Sequence, residues 1–306
     1  MSLRVIDATE LRRALPMGAA IDALGSAFAA SLPSAPLRSH VETPSGSLLL
    51  MPSSSADALG VKLVTLTPAN PGRGLPYIHA VYALFDGVTQ SPSAVIDGAA
   101  LTALRTGAVS GLATRHLALP EASRLVVFGA GVQARSHVEA MCAVRPVEHV
   151  TVVSRSAAAA DALVDELVAG GLDAALGGPD AVADADLVCT CTTSSVPVFE
   201  GRLLAPGAHV NAVGAFAPET RELDDEAVRR SRVVVETREV AMAEAGDLLI
   251  PIRAGVVGPD HVVADLAEVV AGAPARRTAE DVTVFKSVGV AFEDLVVARA
   301  AVERRS

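Results

Sequence analysis

The chain has 306 residues, more than the roughly 100–150 residues of a typical domain, so two domains are expected. Its formal net charge of −10 excludes nucleic acid as a partner, because binding to a phosphate backbone depends on clustered lysine and arginine. Apolar residues form 51% of the chain, but no uninterrupted apolar run approaches the roughly 18 residues that span a bilayer, which excludes a membrane partner.

The first residues, the cysteines and the histidines indicate a cellular location and the absence of some kinds of site. The start of the chain has one arginine and no apolar run before a small-residue cleavage site, so a cytoplasmic location is expected. Cys142, Cys189 and Cys191 lack the spacing of a disulfide framework, which predicts buried free thiols. The seven histidines fall singly, so no metal site is predicted.

The first third of the chain has the pattern of an α+β domain. A helix is predicted from Ala8 to Ala30. The clearest strand-like runs, separated by glycine, proline and serine, are Leu48–Met51, Gly60–Thr65 and His79–Phe85. Apolar residues at helical spacing from Leu101 to Leu119 then predict a long helix that leads into a second domain.

From Arg124 onward, short apolar strands alternate with alanine-rich helical stretches. The predicted strands are Leu125–Phe128, Val150–Val153, Leu187–Cys191, His209–Val213 and Val233–Val235. This alternation is typical of βαβ units and predicts a Rossmann-type doubly wound parallel sheet. The helical segment 288–304 is expected to pack back on the first domain. We therefore expect a first domain of residues 1–115, completed by about 287–306, and a dinucleotide-binding domain of residues 116–286.

A predicted strand in the second domain is followed at once by a G-x-G-x-x-A motif that opens a helix. Gly129 would make the tight turn, Gly131 would let backbone amides approach a pyrophosphate, and Ala134 would permit close packing of helix on strand. The first helical residues, Val132 and Gln133, would turn their N–H groups toward the phosphates. The motif alone also occurs in ordinary tight turns, but the flanking strand and helix favour a dinucleotide site.

The residues after the next strand bear on the choice of dinucleotide. Ser154 and Arg155 stand where an acidic residue would accept the ribose hydroxyls of NAD. A hydroxyl and a guanidinium suit a 2′-phosphate instead, so NADP(H) is predicted to be preferred, with NAD(H) possible. Thr192, Thr193 and Gly214 lie just beyond later strand ends, where ligands bind in open α/β sheets, and are predicted to contact the cofactor.

Three further segments flank the glycine motif in a specific order. They are Leu101-Thr-Ala-Leu-Arg105-Thr-Gly-Ala, Asn211-Ala-Val-Gly214-Ala-Phe-Ala-Pro-Glu-Thr-Arg-Glu-Leu223-Asp-Asp, and Phe285-Lys-Ser-Val-Gly289. Together they resemble the ornithine cyclodeaminase/mu-crystallin family, from about Leu37 to about Ala298. The resemblance implies an NAD(P)-dependent oxidoreductase that transfers a hydride at the α-carbon of an amino or imino acid. It also implies a homodimer that pairs through the first domain.

The same resemblance implies which residues hold the substrate and the cofactor. The substrate carboxylate would be bound by Arg38, Lys62 and Arg105, and bidentate guanidinium contacts would fix it in one plane. The further residues that would contact the cofactor are Thr106, Gln133, Val213 and Ser287. Lys286 is expected to be a solvated neighbour of this set.

Position 216 departs from the pattern of the cyclodeaminases. Ornithine cyclodeaminase and the related alanine dehydrogenase carry an aspartate there, whereas this chain has Phe216, whose ring cannot exchange a proton. Asp224 and Asp225 lie farther along, just before a predicted helix, where a carboxylate most often caps the helix. We expect Tyr77 to be a packing residue and His79 a structural histidine.

Three functions remain open at this point. The first is a reductase of an imino acid, such as the cyclic ketimine pyrroline-2-carboxylate, in which Lys62 orients the substrate and shares in proton delivery. The second is ornithine cyclodeaminase, which forms L-proline and ammonia from L-ornithine and would need a carboxylate to replace the one missing at Phe216. The third is a non-catalytic protein that binds a dinucleotide or a small ligand. The three cations expected at the substrate carboxylate favour an enzyme.

Overall fold

The structure is a computed structural model that describes residues 3–304 of the chain. It divides into two compact units, of which the first comprises Met1–Arg105 with Val290–Ser306 and the second comprises Thr106–Gly289. From the sequence, these divisions are expected near residues 115 and 287. Dinucleotide binding by the second domain and dimerisation through the first stay predictions.

The first unit is built on a sheet of six strands, counted within residues 3–304. They are β1 (Arg4–Ile6), β2 (Ser39–Thr43), β3 (Gly46–Ser54), β4 (Ala58–Leu66), β5 (Ile78–Asp86) and β6 (Pro92–Asp97). The strands lie in the order β1-β6-β5-β4-β3-β2, with β1 parallel to β6 and the other pairs antiparallel. The helices of this unit are α1 (Ala8–Ala14), α2 (Met17–Phe28), the start of α3 (Gly98–Leu117) and α10 (Ala291–Glu303).

The prediction of a single helix from Ala8 to Ala30 was wrong, because the chain forms two helices there. Pro16 separates them with an extended backbone. A proline inside a helix loses a hydrogen bond to the preceding turn and its ring clashes with that turn, so the first helix ends at Ala14 and the second begins at Met17. The residues of the predicted helix still supply the buried face of α2.

One face of the first sheet forms the core of this unit. Residues of β4 alternate between buried and partly exposed, as expected for a strand with one covered face. Helix α10 packs on the covered face, where Ala291 joins an apolar cluster with Leu49, Met51 and Val64. Helix α10 therefore belongs to the first unit.

The second unit is built on a sheet of eight strands, counted within residues 3–304. They are β7 (Arg124–Phe128), β8 (His149–Val153), β9 (Asp173–Leu176), β10 (Leu187–Thr190), β11 (His209–Ala212), β12 (Ser231–Val235), β13 (Val262–Asp265) and β14 (Val282–Lys286). All neighbouring strands are parallel. Strands β7, β10, β11 and β14 are almost wholly buried, as expected for central strands of a parallel sheet that is covered on both faces.

Helices connect these strands and cover the second sheet. Besides the rest of α3, they are α4 (Val132–Val144), α5 (Ala157–Ala169), α6 (Asp225–Arg230), α7 (Arg238–Glu244), α8 (Gly246–Arg253) and α9 (Leu266–Val270). The doubly wound fold predicted from the sequence is confirmed. No helix within the described part of the chain is long and apolar enough to cross a membrane.

The winding direction of the second sheet reverses at one point. The order is β13-β12-β14-β11-β10-β7-β8-β9, so the chain moves outward from β7 to β9 and then returns to β10 on the other side of β7. In such sheets, ligands bind outside the carboxyl ends of the strands where the winding direction reverses. That point lies between β7 and β10.

Candidate active site

A buried cluster of charged side chains lies in the first unit. Lys62 of β4 places its Nζ 2.9 and 2.8 Å from the two carboxylate oxygens of Asp294 in α10. Arg105 of α3 donates from Nη1 to Glu293 at 2.9 Å, and its Nε lies 3.3 Å from Asp294 Oδ1. The structure thus brings together Lys62 and Arg105, both predicted from the sequence, and adds two carboxylates that were not predicted.

The lysine in this cluster has an unusual acidity. Burial lowers the pKa of Lys62 to about 8, because Lys62 is only 1% exposed and desolvation disfavours the ammonium form. The carboxylate of Asp294 acts in the opposite direction, and the positive charges of Arg105 and Arg38 lower the pKa further. Arg38, which is half-buried, makes the smallest of these contributions. The structure therefore pairs Lys62 and Arg105 with buried carboxylates, and the positive charge of Arg38 acts on the pKa of Lys62.

Tyr82 stands beside Lys62 in the sheet and was not predicted. The two residues are direct partners of the β4–β5 pair. Burial raises the pKa of the Tyr82 hydroxyl, with a smaller contribution from Asp294. A Cβ at Gly60 would lie 2.2 Å from the Tyr82 hydroxyl oxygen, so a glycine is needed there to make room for the ring.

The glycine motif of the second unit has the geometry that a dinucleotide requires. Gly129 has a φ of +104°, and a Cβ there would lie 2.6 Å from the backbone oxygen of Cys191. Gly131 caps α4 with no side-chain hydrogen bond, and a Cβ there would meet only open space. The first N–H groups of α4 are thus open to an anion. The amide oxygen of Gln133 is buried without a hydrogen-bond partner among residues 3–304, so these residues fit a polar ligand.

The remaining predicted cofactor residues follow the carboxyl ends of neighbouring strands. The last residues of β8, β7, β10, β11 and β14 are aligned in register across the sheet. The residues just beyond these ends are Gly129 and Gly131 after β7, Ser154 and Arg155 after β8, Thr192 and Thr193 after β10, Val213 and Gly214 after β11, and Ser287 after β14. Ala134 lies buried in the first turn of α4 beside the exposed Val132. The structure places these residues along one edge, and their contacts with a cofactor stay a prediction.

Four of the predicted cofactor residues are buried, namely Thr106, Ala134, Val213 and Ser287. Ser287 is 1% exposed, and its hydroxyl donates to Glu236 at 2.6 Å. Thr106 is buried at the start of the second unit, within α3. By contrast, Arg155 is exposed, and the Ser154 hydroxyl accepts a hydrogen bond from the backbone N–H of Ser156 at 3.3 Å.

Lys286 is not the solvated neighbour that the sequence suggested. Its side chain is buried and lies 2.9 Å from Asp247. Its ammonium also donates to the backbone oxygens of Ala212 and Ala215. An apolar strand ending in lysine gave no sign of this pairing, because Asp247 lies far along the chain. Glu222, a buried carboxylate near this pair, was missed for the same reason.

The structure settles the environment of the two aspartates considered as replacements for the missing one. Asp224 caps α6, where its oxygens accept from the backbone of Ala227 at 2.7 Å and Gly201 at 2.9 Å. Asp225 lies 2.5 Å from Arg221. The capping interpretation of Asp224 is confirmed. Phe216 follows β11 and is 37% exposed.

Of the structural roles predicted for other residues, some are confirmed and one was wrong. Tyr77 packs against the apolar cluster of the first unit, as expected. The prediction of buried thiols holds for Cys189, but it was wrong for Cys142, which is exposed on α4. Within residues 3–304, no group of three or more His, Cys, Asp or Glu side chains could hold a metal ion.

Comparison with known proteins agrees with this geometry. The sequence model of the ornithine cyclodeaminase/mu-crystallin family matches residues 7–306. A Delta(1)-pyrroline-2-carboxylate reductase of Bacillus cereus is 38% identical over 312 residues, which cover 98% of this chain and 96% of the relative. The solved structure of Thermococcus litoralis Delta(1)-pyrroline-2-carboxylate reductase, in complex with NADH and L-proline, has a TM-score of 0.94 and 35% identity, covering 99% of this chain and 97% of that one.

An archaeal alanine dehydrogenase dimer with bound NAD is also similar, with a TM-score of 0.93 and 31% identity, covering 99% of this chain. Fold, site and relatives together define an NAD(P)-dependent oxidoreductase. The chain belongs to the ornithine cyclodeaminase/mu-crystallin family.

Proposed function

We propose that this chain reduces a cyclic imino acid that bears a carboxylate, such as pyrroline-2-carboxylate, to the corresponding amino acid. The observation that carries the proposal is the buried Lys62 ammonium, which pairs with Asp294 beside Arg105 and whose pKa is lowered to about 8. A nicotinamide dinucleotide bound at the edge of the second sheet would supply the hydride. The relatives named above support both parts.

The charge of the cluster suits a small monocarboxylate. With every group ionised, Arg38, Lys62 and Arg105 exceed the carboxylates of Glu293 and Asp294 by one positive charge. A substrate with one carboxylate would neutralise this excess. Desolvated cations hold such a group in a fixed orientation, because guanidinium groups match the plane of a carboxylate. The cluster therefore supports recognition of the carboxylate and orientation of the adjacent carbon.

Lys62 is also suited to the proton that the reaction consumes. Reduction of an imine adds a hydride to the carbon and a proton to the nitrogen. An acid works best when its pKa lies near the working pH, and Lys62 has a pKa of about 8. Asp294 would hold the ammonium in place while it donates to the substrate nitrogen.

The same geometry disfavours the cyclodeaminase alternative. Phe216 offers no acid or base at the position of the missing aspartate. Both oxygens of Asp224 accept backbone hydrogen bonds, and Asp225 pairs with Arg221, so neither carboxylate is available to replace it. The non-catalytic alternative leaves the perturbed pKa of Lys62 without a use.

We further propose that NADP(H) is the preferred cofactor. Arg155 is exposed just beyond the carboxyl end of β8, where the ribose of a dinucleotide lies in doubly wound sheets. A 2′-phosphate would meet this guanidinium and the hydroxyl of Ser154. The solved relatives named above have NAD or NADH bound, so the preference is a property we expect of this chain.

A cytoplasmic homodimer is the form that we propose for the enzyme. The face of the first sheet opposite α10 carries partly exposed apolar residues on neighbouring strands: Leu48, Leu50, Leu59, Val61, Leu63, Val81, Ala83, Phe85 and Val95. An apolar surface of this kind on a soluble domain marks a contact with another protein. A second copy of the chain is the partner that the similar alanine dehydrogenase dimer suggests.

The substitution Lys62→Met tests the catalytic proposal. Methionine keeps the length of the side chain and removes the ammonium, so kcat/KM for imine reduction should fall by about 100-fold or more. Binding of the reduced dinucleotide, followed by its fluorescence, should stay within about twofold because the glycine motif is untouched. Turnover by the folded variant at the wild-type rate would contradict the role of Lys62.

A further inference from the structure

Glu222 is a buried carboxylate that connects two loops at the carboxyl ends of the strands of the second sheet. Its Oε1 accepts from the backbone N–H and the hydroxyl of Thr192, at 2.8 and 2.7 Å. Its Oε2 accepts from the backbone N–H of Gly214 at 2.6 Å and from the hydroxyl of Thr190 at 2.8 Å. Both oxygens thus accept backbone amides, and the loops that follow β10 and β11 are held by one side chain.

The backbones of these two loops also approach each other closely. A Cβ at Gly214 would lie 2.2 Å from the backbone oxygen of Thr192 and 2.5 Å from Glu222 Oε1. Glycine is therefore required at position 214 for the loops to approach each other, whatever its φ. The carboxylate and the glycine fix the same spacing between the ends of β10 and β11.

The backbone of Glu222 is in turn bound by a second buried pair, Asp247 and Lys286. Asp247 of α8 accepts from the backbone N–H groups of Glu222 at 2.7 Å and Leu223 at 2.8 Å. Asp247 in turn pairs with Lys286 at the end of β14, and Lys286 donates to the backbone oxygen of Ala212 in β11. Three strand ends and one helix are joined by these charged groups. Burial and the neighbouring Asp247 raise the pKa of Glu222, whereas Lys286 and the threonine hydroxyls oppose that shift.

We propose that Glu222 is the positioning residue for the nicotinamide half of the dinucleotide. The pyrophosphate of a dinucleotide lies at the N-terminus of α4, and its two halves extend over the strands on either side of the reversal point. Arg155 follows β8, which lies on one side of β7, and we assign the adenosine half of the dinucleotide to that side. Strands β10 and β11 lie on the other side of β7, so the loops that follow them would line the nicotinamide half. The inference rests on the proposed dinucleotide binding, and it assigns Glu222 to one half of that ligand.

The test compares ligands with and without the nicotinamide ring. In Glu222→Gln, the amide keeps the size of the side chain, but its NH₂ group would face an N–H donor of Thr192 or Gly214. Affinities for NADPH and NADH are measured by dinucleotide fluorescence, and those for ADP-ribose and its 2′-phosphate by calorimetry. We expect about tenfold weaker binding of the complete dinucleotides and a change within about twofold for the ADP-ribose ligands.

Asp186→Asn is the matched control. Asp186 Oδ2 also accepts two backbone amides, from Ser123 and Arg124, each at 2.9 Å, but it does so at the amino edge of the same sheet. This variant should lower the melting temperature and leave the affinities for all four ligands unchanged within about twofold.

Each other outcome has a definite meaning. Equal weakening of all four ligands by Glu222→Gln, or wild-type binding of the complete dinucleotides, would overturn the assignment of Glu222 while leaving the proposed function intact. Failure of the wild-type protein to bind any of the four ligands would instead contradict the proposed function, and with it the assignment.

Discussion

At the scale of single residues, the central feature is a lysine whose charge is only partly stabilised. Desolvation lowers the pKa of Lys62 to about 8, although Asp294 lies within hydrogen-bond distance. The nearby Arg105 and Arg38 act in the same direction as burial. A lysine of this acidity holds a proton at neutral pH and can release it to a substrate, which an ordinary surface lysine does poorly.

The acidity of Lys62 predicts the pH dependence of the reaction. The protonated form is the donor, so log kcat/KM for imine reduction should be highest below pH 8. It should fall as the pH rises through the pKa of about 8.

Arg155 gives a prediction about cofactor choice. Arg155→Ala removes the exposed guanidinium that we expect to bind a 2′-phosphate, so kcat/KM with NADPH should fall about tenfold while the value with NADH stays within about twofold. Steady-state kinetics with both cofactors measure the change. Arg202→Ala, which removes another exposed arginine of the same unit, serves as control and should alter neither value. An equal loss with both cofactors would argue against a 2′-phosphate pocket.

At the scale of elements, α10 supplies the two carboxylates of the buried charged cluster. Its adjacent residues Glu293 and Asp294 are buried and pair with Arg105 and Lys62. The same helix also carries Arg299, whose pair with Asp57 is exposed to solvent. Burial makes the first pairs costly to break, because the partner left behind is an uncompensated charge. The exposed pair is expected to contribute little.

Asp294→Asn tests this contrast. It should lower the free energy of unfolding by about 3 kcal/mol, whereas the control Arg299→Gln should lower it by less than about 1 kcal/mol, as measured in urea. Because Asp294 raises the pKa of Lys62, its removal should also move the alkaline fall of kcat/KM to a lower pH than in the wild type. An unchanged pH profile would show that Lys62 is not the titrating group.

The elements that the sequence predicted well are those with a strong local pattern. Strands β7, β8, β10, β11 and β12 were expected because each is a short apolar run next to a helical stretch. Strand β9 was missed because its four residues are mostly exposed and carry no such pattern. The buried carboxylates of Glu293 and Asp294 were missed because the contact of Lys62 with Asp294 joins positions 232 residues apart. The sequence signal that could have revealed them is the adjacent acidic pair Glu293 and Asp294 within an otherwise largely apolar helical segment.

At the scale of the whole molecule, the open apolar face of the first sheet is the feature that bears on assembly. Val81 of β5 lies on this face and is 38% exposed. A charge placed there would have to be desolvated in a dimer, at a cost large enough to weaken association.

Val81→Asp therefore should shift the protein from dimer to monomer, as seen by light scattering coupled to size-exclusion chromatography. Val88→Asp is the control, because Val88 is 86% exposed in the turn between β5 and β6 and lies outside this face. A dimer that persists in Val81→Asp would place the interface elsewhere, and a wild-type monomer would contradict the proposed assembly.

The measurement that tests the account most directly is a paired assay of the purified wild-type protein at neutral pH. One reaction contains pyrroline-2-carboxylate with NADPH or NADH, and the loss of the reduced dinucleotide is followed by absorbance. The other contains L-ornithine with NAD, and ammonia and proline are measured. We predict turnover in the first reaction alone, faster with NADPH. Ammonia and proline from L-ornithine, or no turnover of the imine with either cofactor, would contradict the proposal.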